Sequence, residues 1–176
     1  MTQYAQRRVS PEAPFQHRNL PLLLLQARER VIAHFRPALN AAGVTEQQWR
    51  IVRALLELGP LEPRQIVVLC AISSPSLAGV LARMEDVGLV TRTRLDHDQR
   101  RLQVSLTARS RALARRLAPQ IDAIYAGIEA RMGHGFTQEF YRTLDQLIAS
   151  LDEGEGDDGS VDGHKTSPGA AAAAPD

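Results

Sequence analysis

The chain has one cysteine, Cys70, one lysine, Lys165, and no apolar run approaching the ~18 residues needed to span a bilayer. A lone cysteine excludes an internal disulfide framework and suits a reducing compartment. The opening stretch MTQYAQRRVSPEAPF lacks the apolar core of a secretory signal. Together these features predict a cytoplasmic protein with no membrane partner. Enzyme chemistry also lacks its residues, with neither a glycine-rich phosphate loop nor a nucleophile elbow. His17, His34, His97, His134 and His164 show no metal-ligand spacing with cysteine or acids, so no metal and no cofactor is expected. Cys70 lies in the apolar stretch VLCAI, which raises a thiol's pKa and keeps it unreactive. The expectation is a non-enzyme.

What the chain does have is arginine. The net charge of +1 averages two unlike regions. Residues 1–151 hold twenty arginines, no lysine and thirteen acids, a net +7. Residues 152–176 hold seven acids and one lysine, a net −6, with little large apolar matter to bury, so this tail is expected to be disordered. Arginine's planar donor fork suits phosphates and base edges, although a GC-rich genome also favours arginine codons. Placement has to decide between these.

The remaining length is enough for one domain, and its signals follow in order. Asn19 caps a first helix with Pro21 in its opening turn, and the run LPLLLLQARERVIAHF, apolar on more than one side, predicts a helix either deeply buried or shared between subunits. Pro37 should kink or thin it, and Gly43 ends it. Thr45 and Gln48 form a capping box, flanked by Val44 and Trp49 as a hydrophobic staple. The inward stripe of this second helix is Trp49, Val52, Leu55 and Leu56, and Gly59-Pro60 stops it. A third helix spans about 63–71, with Ile66, Leu69 and Cys70 facing the core. Ser74 caps a fourth, with Pro75 first and Leu77, Val80, Leu81 and Met84 on its apolar face, closed by Gly88. Two strands follow, at about 89–95 and 101–106, the second alternating as Leu102, Val104, Leu106 against Gln103 and Ser105. Thr107 caps a long helix to Met132, kinked at Pro119. A last helix begins at Phe136–Thr137, with Tyr141, Leu144, Leu147, Ile148 and Leu151 on one face.

Two short helices joined by a tight turn and followed at once by a hairpin describe a winged helix-turn-helix, so the fold class is mainly α with a small β-hairpin. The second short helix of that motif enters the DNA major groove. Here it presents Ser73, Ser74 and Ser76 at its start, where hydroxyls and backbone N–H groups bind phosphate, and Arg83 two turns along. The serines also make ordinary caps, the more usual role for Ser74. The stretch DHDQRRLQVSLT puts Arg100 and Arg101 at the end of the hairpin. An arginine there is drawn to the negative potential of a minor groove. Asp98 can brace Arg100 by a bidentate pair and leave Arg101 to probe, or the two arginines exchange roles. Arg92 and Arg94 lie within reach of the DNA backbone. The rival account is a solvated turn whose charges only protect a sheet edge.

These residues resemble the MarR-type transcriptional regulators. In DQRRLQVSLT, the residues Asp98, Arg100, Val104, Leu106 and Thr107 match the wing pattern D-x-R-x-x-x-V-x-L-T. TEQQWRIVRALLELGPLEP and LARMEDVGLVTR match the second helix and the end of the recognition helix. The first helix is similar to that of regulators of homoprotocatechuate and related aromatic-acid degradation operons, and to nicotinate-degradation regulators. The resemblance covers about residues 17–151. It implies a homodimer, built from the first and last helices, that represses promoters on double-stranded operator DNA and leaves them when a small aromatic carboxylate binds. It also implies an organisation: a flexible segment 1–16, a dimerisation helix 17–43, a DNA-binding lobe 44–106, C-terminal dimerisation helices 107–151 and the tail 152–176. One departure stands out. The family's mid-helix Thr-Arg or Ser-Arg pair is here Ala78-Gly79, which removes a guanidinium and puts a glycine in a helix interior, at a cost of about 1 kcal/mol.

The effector pocket of this architecture lies where the dimer helices meet the DNA-binding lobe. An aromatic acid needs an apolar slot and one or two cations. The candidates are Trp49 as a stacking wall, Arg50 beside it, and His17 and Arg18 from the second copy's first helix. Each has a plain structural reading too: Trp49 as core, Arg50 paired with Glu46, His17 as a solvated residue. Two alternatives remain at this point, an interaction scaffold that does not bind DNA, favoured by Gly79, and an oxidant sensor acting through Cys70.

Overall fold

The computed structural model describes residues 14–95 and 98–152, without the side chains at 95–100. The expectations for the flexible start before residue 14, for the hairpin tip at 96–97 and for the tail after 152 lie outside the described residues. In order, the elements are α1 (Leu20–Ala41), α2 (Glu46–Leu58), α3 (Pro63–Cys70), α4 (Ser74–Asp86), β1 (Val90–Leu95), β2 (Asp98–Leu106), α5 (Ala108–Met132) and α6 (His134–Asp152). The mainly helical class with one antiparallel hairpin is as the sequence predicts. No single helix among the described residues is long and apolar enough to cross a membrane.

Local chemistry accounts for the starts. The Asn19 side chain accepts from the Leu22 N–H at 3.0 Å, capping α1 as expected. At α2 the capping box is complete, with Gln48 N–H donating to Thr45 Oγ1 at 3.2 Å and Thr45 N–H to Gln48 Oε1 at 2.9 Å. Helices α1 and α5 run on through Pro37 and Pro119, and α5 reaches Met132 as expected.

The core gathers α2, α3, α4, both strands and the first half of α5, with Phe35 and Leu39 of α1 closing one side. Ile51, Val52, Ile66 and Met84 are wholly buried. All four predicted apolar positions of α4 are inside. Two predicted core residues are not: Leu56 is 40% exposed and Leu69 53%. Ile51, outside the predicted stripe, is inside instead. Neighbours cover α2 on the Ile51 side, so its buried arc is shifted off the Leu56 flank.

Gly88 joins α4 to the hairpin at φ +67, a left-handed turn that favours glycine. There Gly88 N–H bonds Glu85 O at 2.9 Å, and Leu89 N–H bonds Met84 O at 2.7 Å. The start of α5 clamps this turn. Thr107 Oγ1 donates to Gly88 O at 2.7 Å and accepts from Ser110 N–H at 3.2 Å, confirming Thr107 as the cap. The wholly buried Ser110 hydroxyl donates to Leu89 O. The hairpin is also tied to the α2–α3 connection by an antiparallel bridge, Val104 N–H to Leu61 O at 2.8 Å and Leu61 N–H to Val104 O at 3.1 Å.

One compact unit ends at Arg131 and a second begins at Met132. Within the second, α6 starts two residues earlier than expected. Its buried Thr137 donates to Gly133 O at 3.0 Å, and Phe136 stacks on Phe140 at 6.1 Å. Of the predicted apolar face, Leu144 and Leu147 are half-buried, while Tyr141, Ile148 and Leu151 are exposed.

Ser110→Ala removes one buried donor while Leu89 O keeps the Thr107 N–H at 3.3 Å. The expected loss is about 1 kcal/mol, against roughly 2–5 kcal/mol for Ile66→Ala in the centre of the core. Urea midpoints at unchanged slope measure both, and an unmoved midpoint for Ser110→Ala contradicts the clamp.

Candidate DNA-binding surface

Helices α3 and α4 bend at 109° about the short connection at residues 71–73, the geometry of a helix-turn-helix. The connection turns on Ala71, at φ 46 and ψ 52 the one described non-glycine residue in the left-handed region. That conformation costs a residue with a Cβ roughly 1 kcal/mol, so packing and hydrogen bonds must hold it.

The cap of α4 is Ser73, not Ser74 as expected; the extended backbone ends one residue earlier, placing Ser74 and Pro75 inside the first turn. Ser73 Oγ donates to Ser76 Oγ at 2.9 Å and makes no capping bond to the helix backbone. Ser73, Ser74 and Ser76 are all exposed. The first-turn N–H groups of α4 are thus without a side-chain cap, beside three hydroxyls, at the positive end of the helix dipole. That is the chemistry of a phosphate contact.

Arg83 is exposed, and its side chain makes no hydrogen bond or ion pair among the described residues. Its guanidinium folds back one turn, and a Cβ built on Gly79 would lie 3.4 Å from its Nη1. The Ala78-Gly79 departure therefore has a local consequence: the bare backbone at Gly79 leaves the space over which Arg83 lies.

The hairpin pairs Val90 with Leu106, Arg92 with Val104 and Arg94 with Leu102, with a register irregularity after Arg94. Strand β2 begins at Asp98, not 101, so Arg100 lies within the strand; with Arg94 opposite Leu102 and Leu95 opposite Asp98, residues 99–101 fall in the irregularity between those pairs. Arg92 is committed to α4. Its Nε donates to Glu85 Oε2 at 2.8 Å, its Nη2 to the same oxygen, and its backbone N–H to Oε1 at 3.3 Å. The Arg92 guanidinium holds the Glu85 carboxyl below its ordinary pKa. Arg94 is exposed and, among the described residues, makes no such bond.

Arg101 corrects the expectation of a free probing arginine. Its Nη2 pairs with Glu62 Oε1, while its side chain remains 49% exposed. Glu62 caps α3 and also faces Arg64 Nε at 3.2 Å. The hydrogen bond from Arg101 lowers the Glu62 pKa. The reason is proximity in the fold: the Leu61–Val104 bridge brings the start of α3 beside β2, 39 residues away in sequence. A cleft of ≈ 320 Å³ lies there, lined by Glu62, Pro63, Arg64, Arg101 and Leu102. The side chains of Asp98 and Arg100, and with them the predicted brace, lie outside the described residues.

The effector candidates fall in two places. Trp49 is buried in the core. Arg50, half-buried, donates from Nη1 to Cys70 O at 2.5 Å and from Nη2 to Glu46 Oε1 at 3.1 Å. Glu46 also pairs with Arg28, and with Arg36 at 3.5 Å. The Glu46–Arg50 pair was legible from its i,i+4 spacing, but the contacts of Arg28, Arg36 and the Cys70 carbonyl join distant segments and carry no sequence signal. His17 and Arg18 are exposed ahead of α1, and no bond joins them to Trp49 or Arg50 among the described residues. A shallow hollow of ≈ 510 Å³ is lined by Pro14, Phe15, Gln16, His17 and Asn19. Cys70 is buried, and burial raises its thiol pKa against the opposing charge of Arg50.

Comparison with known proteins agrees with this architecture. The MarR family model matches residues 42–101. The homoprotocatechuate degradative operon repressor of Escherichia coli is 41% identical over 133 residues, covering 76% of this chain and 90% of that protein. The crystal structure of transcriptional regulator PA4135 superposes with a TM-score of 0.74 at 38% identity, over 76% of this chain and 98% of that one. That of NadR in complex with 4-hydroxyphenylacetate does so at 0.69 and 38%, over 79% and 96%. With a curated relative so similar over three quarters of its length, and with helix-turn-helix and hairpin in place, this chain belongs to the MarR family of winged-helix transcriptional regulators.

Proposed function

We propose that the protein is a cytoplasmic homodimeric repressor that grips double-stranded operator DNA with α4 and the hairpin and is released by a small aromatic carboxylate. The observation that carries the DNA reading is the exposed, serine-headed start of α4, set at 109° to α3 and followed directly by an arginine-bearing hairpin. Ser73, Ser74 and Ser76 contact phosphates, Arg83 reads base edges, and Arg94, Arg100 and Arg101 hold the flanking backbone or minor groove. For Arg101, a phosphate exchanges with Glu62 as the partner of the guanidinium. Arg92, tied to Glu85, fastens the hairpin to α4, and Asp98 braces Arg100 by a bidentate pair.

Apolar surface favours the dimer. Leu20 and Leu22–Leu25 of α1 are exposed, and so, on α6, are Phe136, Tyr141, Ile148 and Leu151. Runs of this kind on water-facing helices mark interaction surfaces. For the effector, the support is what similar proteins are named for: a repressor of a homoprotocatechuate operon, and a structure holding 4-hydroxyphenylacetate. Trp49 and Arg50 on α2, with His17 and Arg18 of the second copy, are the residues assigned to that ligand. Burial of Cys70 argues against thiol sensing.

A duplex selected by the protein from a random library provides the probe. Arg100→Ala and Arg101→Ala should each weaken binding and each reduce the slope of log K against log salt by about one unit. Unchanged affinity in both would favour the interaction scaffold. Arg83→Ala should relax sequence choice, by about 1–3 kcal/mol at the base it reads, with little change on random DNA. As Trp49 is the sole tryptophan, its emission reports ligand directly. Titrated 4-hydroxyphenylacetate should alter that emission saturably and release the duplex; a duplex that stays bound at saturation rejects this ligand as effector.

A further inference from the structure

Arg50 makes a polar link between two parts of the molecule that also share the apolar core. Toward α3, its Nη1 holds the Cys70 carbonyl at 2.5 Å. Cys70 is the last residue of α3, and its carbonyl is among those a helix end leaves without an internal partner. Directly after it comes Ala71, in the left-handed conformation that a Cβ disfavours, and then the two residues that lead into α4. The turn is otherwise closed by backbone bonds, from Ala71 N–H to Val67 O and, at 3.2 Å, to Val68 O, and from Ile72 N–H to Val67 O at 3.2 Å. Toward α1, Arg50 Nη2 holds Glu46 Oε1 at 3.1 Å. The same carboxylate receives Arg28 and, at 3.5 Å, Arg36, and Glu29 bridges those two arginines at 2.6 Å each. A continuous charge-assisted chain thus runs from two turns of α1, through Glu46 and Arg50, to the backbone on which α4 is seated.

We propose that Arg50 is a positioning residue for DNA recognition, coupling α1 through Glu46 to the α3–α4 turn so that the α1 ion-pair cluster sets how α4 meets the duplex. Arg50 acts through the Cys70 carbonyl and touches no phosphate. This rests on α4 as the duplex-reading helix. It predicts a pattern that neither a DNA-contacting arginine nor a residue needed only for folding produces.

Amide hydrogen exchange on the full chain, without DNA, reads the coupling directly. In Arg50→Gln the amides of Ala71 and Ile72 should exchange tenfold faster or more, while amides of Ile51 and Ile121 keep their rates. Arg28→Gln combined with Arg36→Gln, far from the turn in sequence, should speed the same two amides. On the selected duplex, Arg50→Gln should bind at least tenfold more weakly with the salt slope unchanged, since no phosphate contact is lost. Arg50→Lys, able to reach the carbonyl or Glu46 but not both, should fall between; it serves as the reporter if Arg50→Gln does not fold. A salt slope reduced by about one unit would make Arg50 a phosphate contact and overturn the proposal. So would unchanged exchange at Ala71 and Ile72 in the Arg50 variants, or an α1 double variant that leaves these amides as they were. If the unsubstituted protein selects no duplex, the DNA reading fails, while the exchange arms still decide the coupling.

Discussion

Burial of one face of α4 is the constraint on which the rest depends. Leu77, Val80, Leu81 and Met84 all lie in the core, so rotating the helix by even a fraction of a turn would bring apolar area back into water. With that face pinned, the opposite one has no choice: the serines of the first turn and Arg83 point outward. Tight packing makes this seat stiff, because an interior without voids cannot absorb a tilt. Both ends of the helix are then held by polar bonds of short reach. The Thr107–Ser110 clamp secures the turn after α4, and the left-handed Ala71 secures the turn before it.

The basic charge is organised and not a diffuse cloud. Glu85 holds Arg92, Glu62 faces Arg64 and Arg101, and Glu46 with Glu29 gathers Arg28, Arg36 and Arg50. Exposed pairs of this kind add little stability, commonly under about 1 kcal/mol each. Their effect is on order: each pair holds a guanidinium in one place and limits the rotamers open to it. The lowered pKa values of Glu29, Glu62 and Glu85 have the matching sign. Each carboxylate stays ionised to lower pH than a free one, so its contact is present above the ordinary carboxylate range and is lost only as pH falls through the depressed value.

Most of the helix starts could be read from neighbouring residues. Asn19, the Thr45–Gln48 box and Thr107 each act within three residues, a range over which sequence alone specifies geometry. Apolar periodicity located the buried stripe of α4 completely and that of α2 only in part. Period sets the centre of a stripe, whereas its edges depend on what packs beside the helix, which is why Ile51 went inside and Leu56 stayed out. The cap of α4 was misplaced by one because three serines in four positions offer equivalent oxygens. The start of β2 was placed too late because Asp98, Gln99 and Arg100 lack the apolar alternation that betrays a strand; Asp98 joins it by pairing with Leu95 across the hairpin.

The family, the winged helix-turn-helix and the positions of most candidate residues on α4 and the hairpin were therefore determined by the sequence itself, since short-range capping, alternation and the wing motif are local patterns. The commitments of individual arginines were not. Arg101 reaches Glu62 across 39 residues, Arg50 reaches Cys70 across 20, and Arg28 reaches Glu46 from another helix. Coulomb attraction falls with spatial distance and is blind to separation along the chain, so only the packed fold could choose which carboxylate each guanidinium would meet.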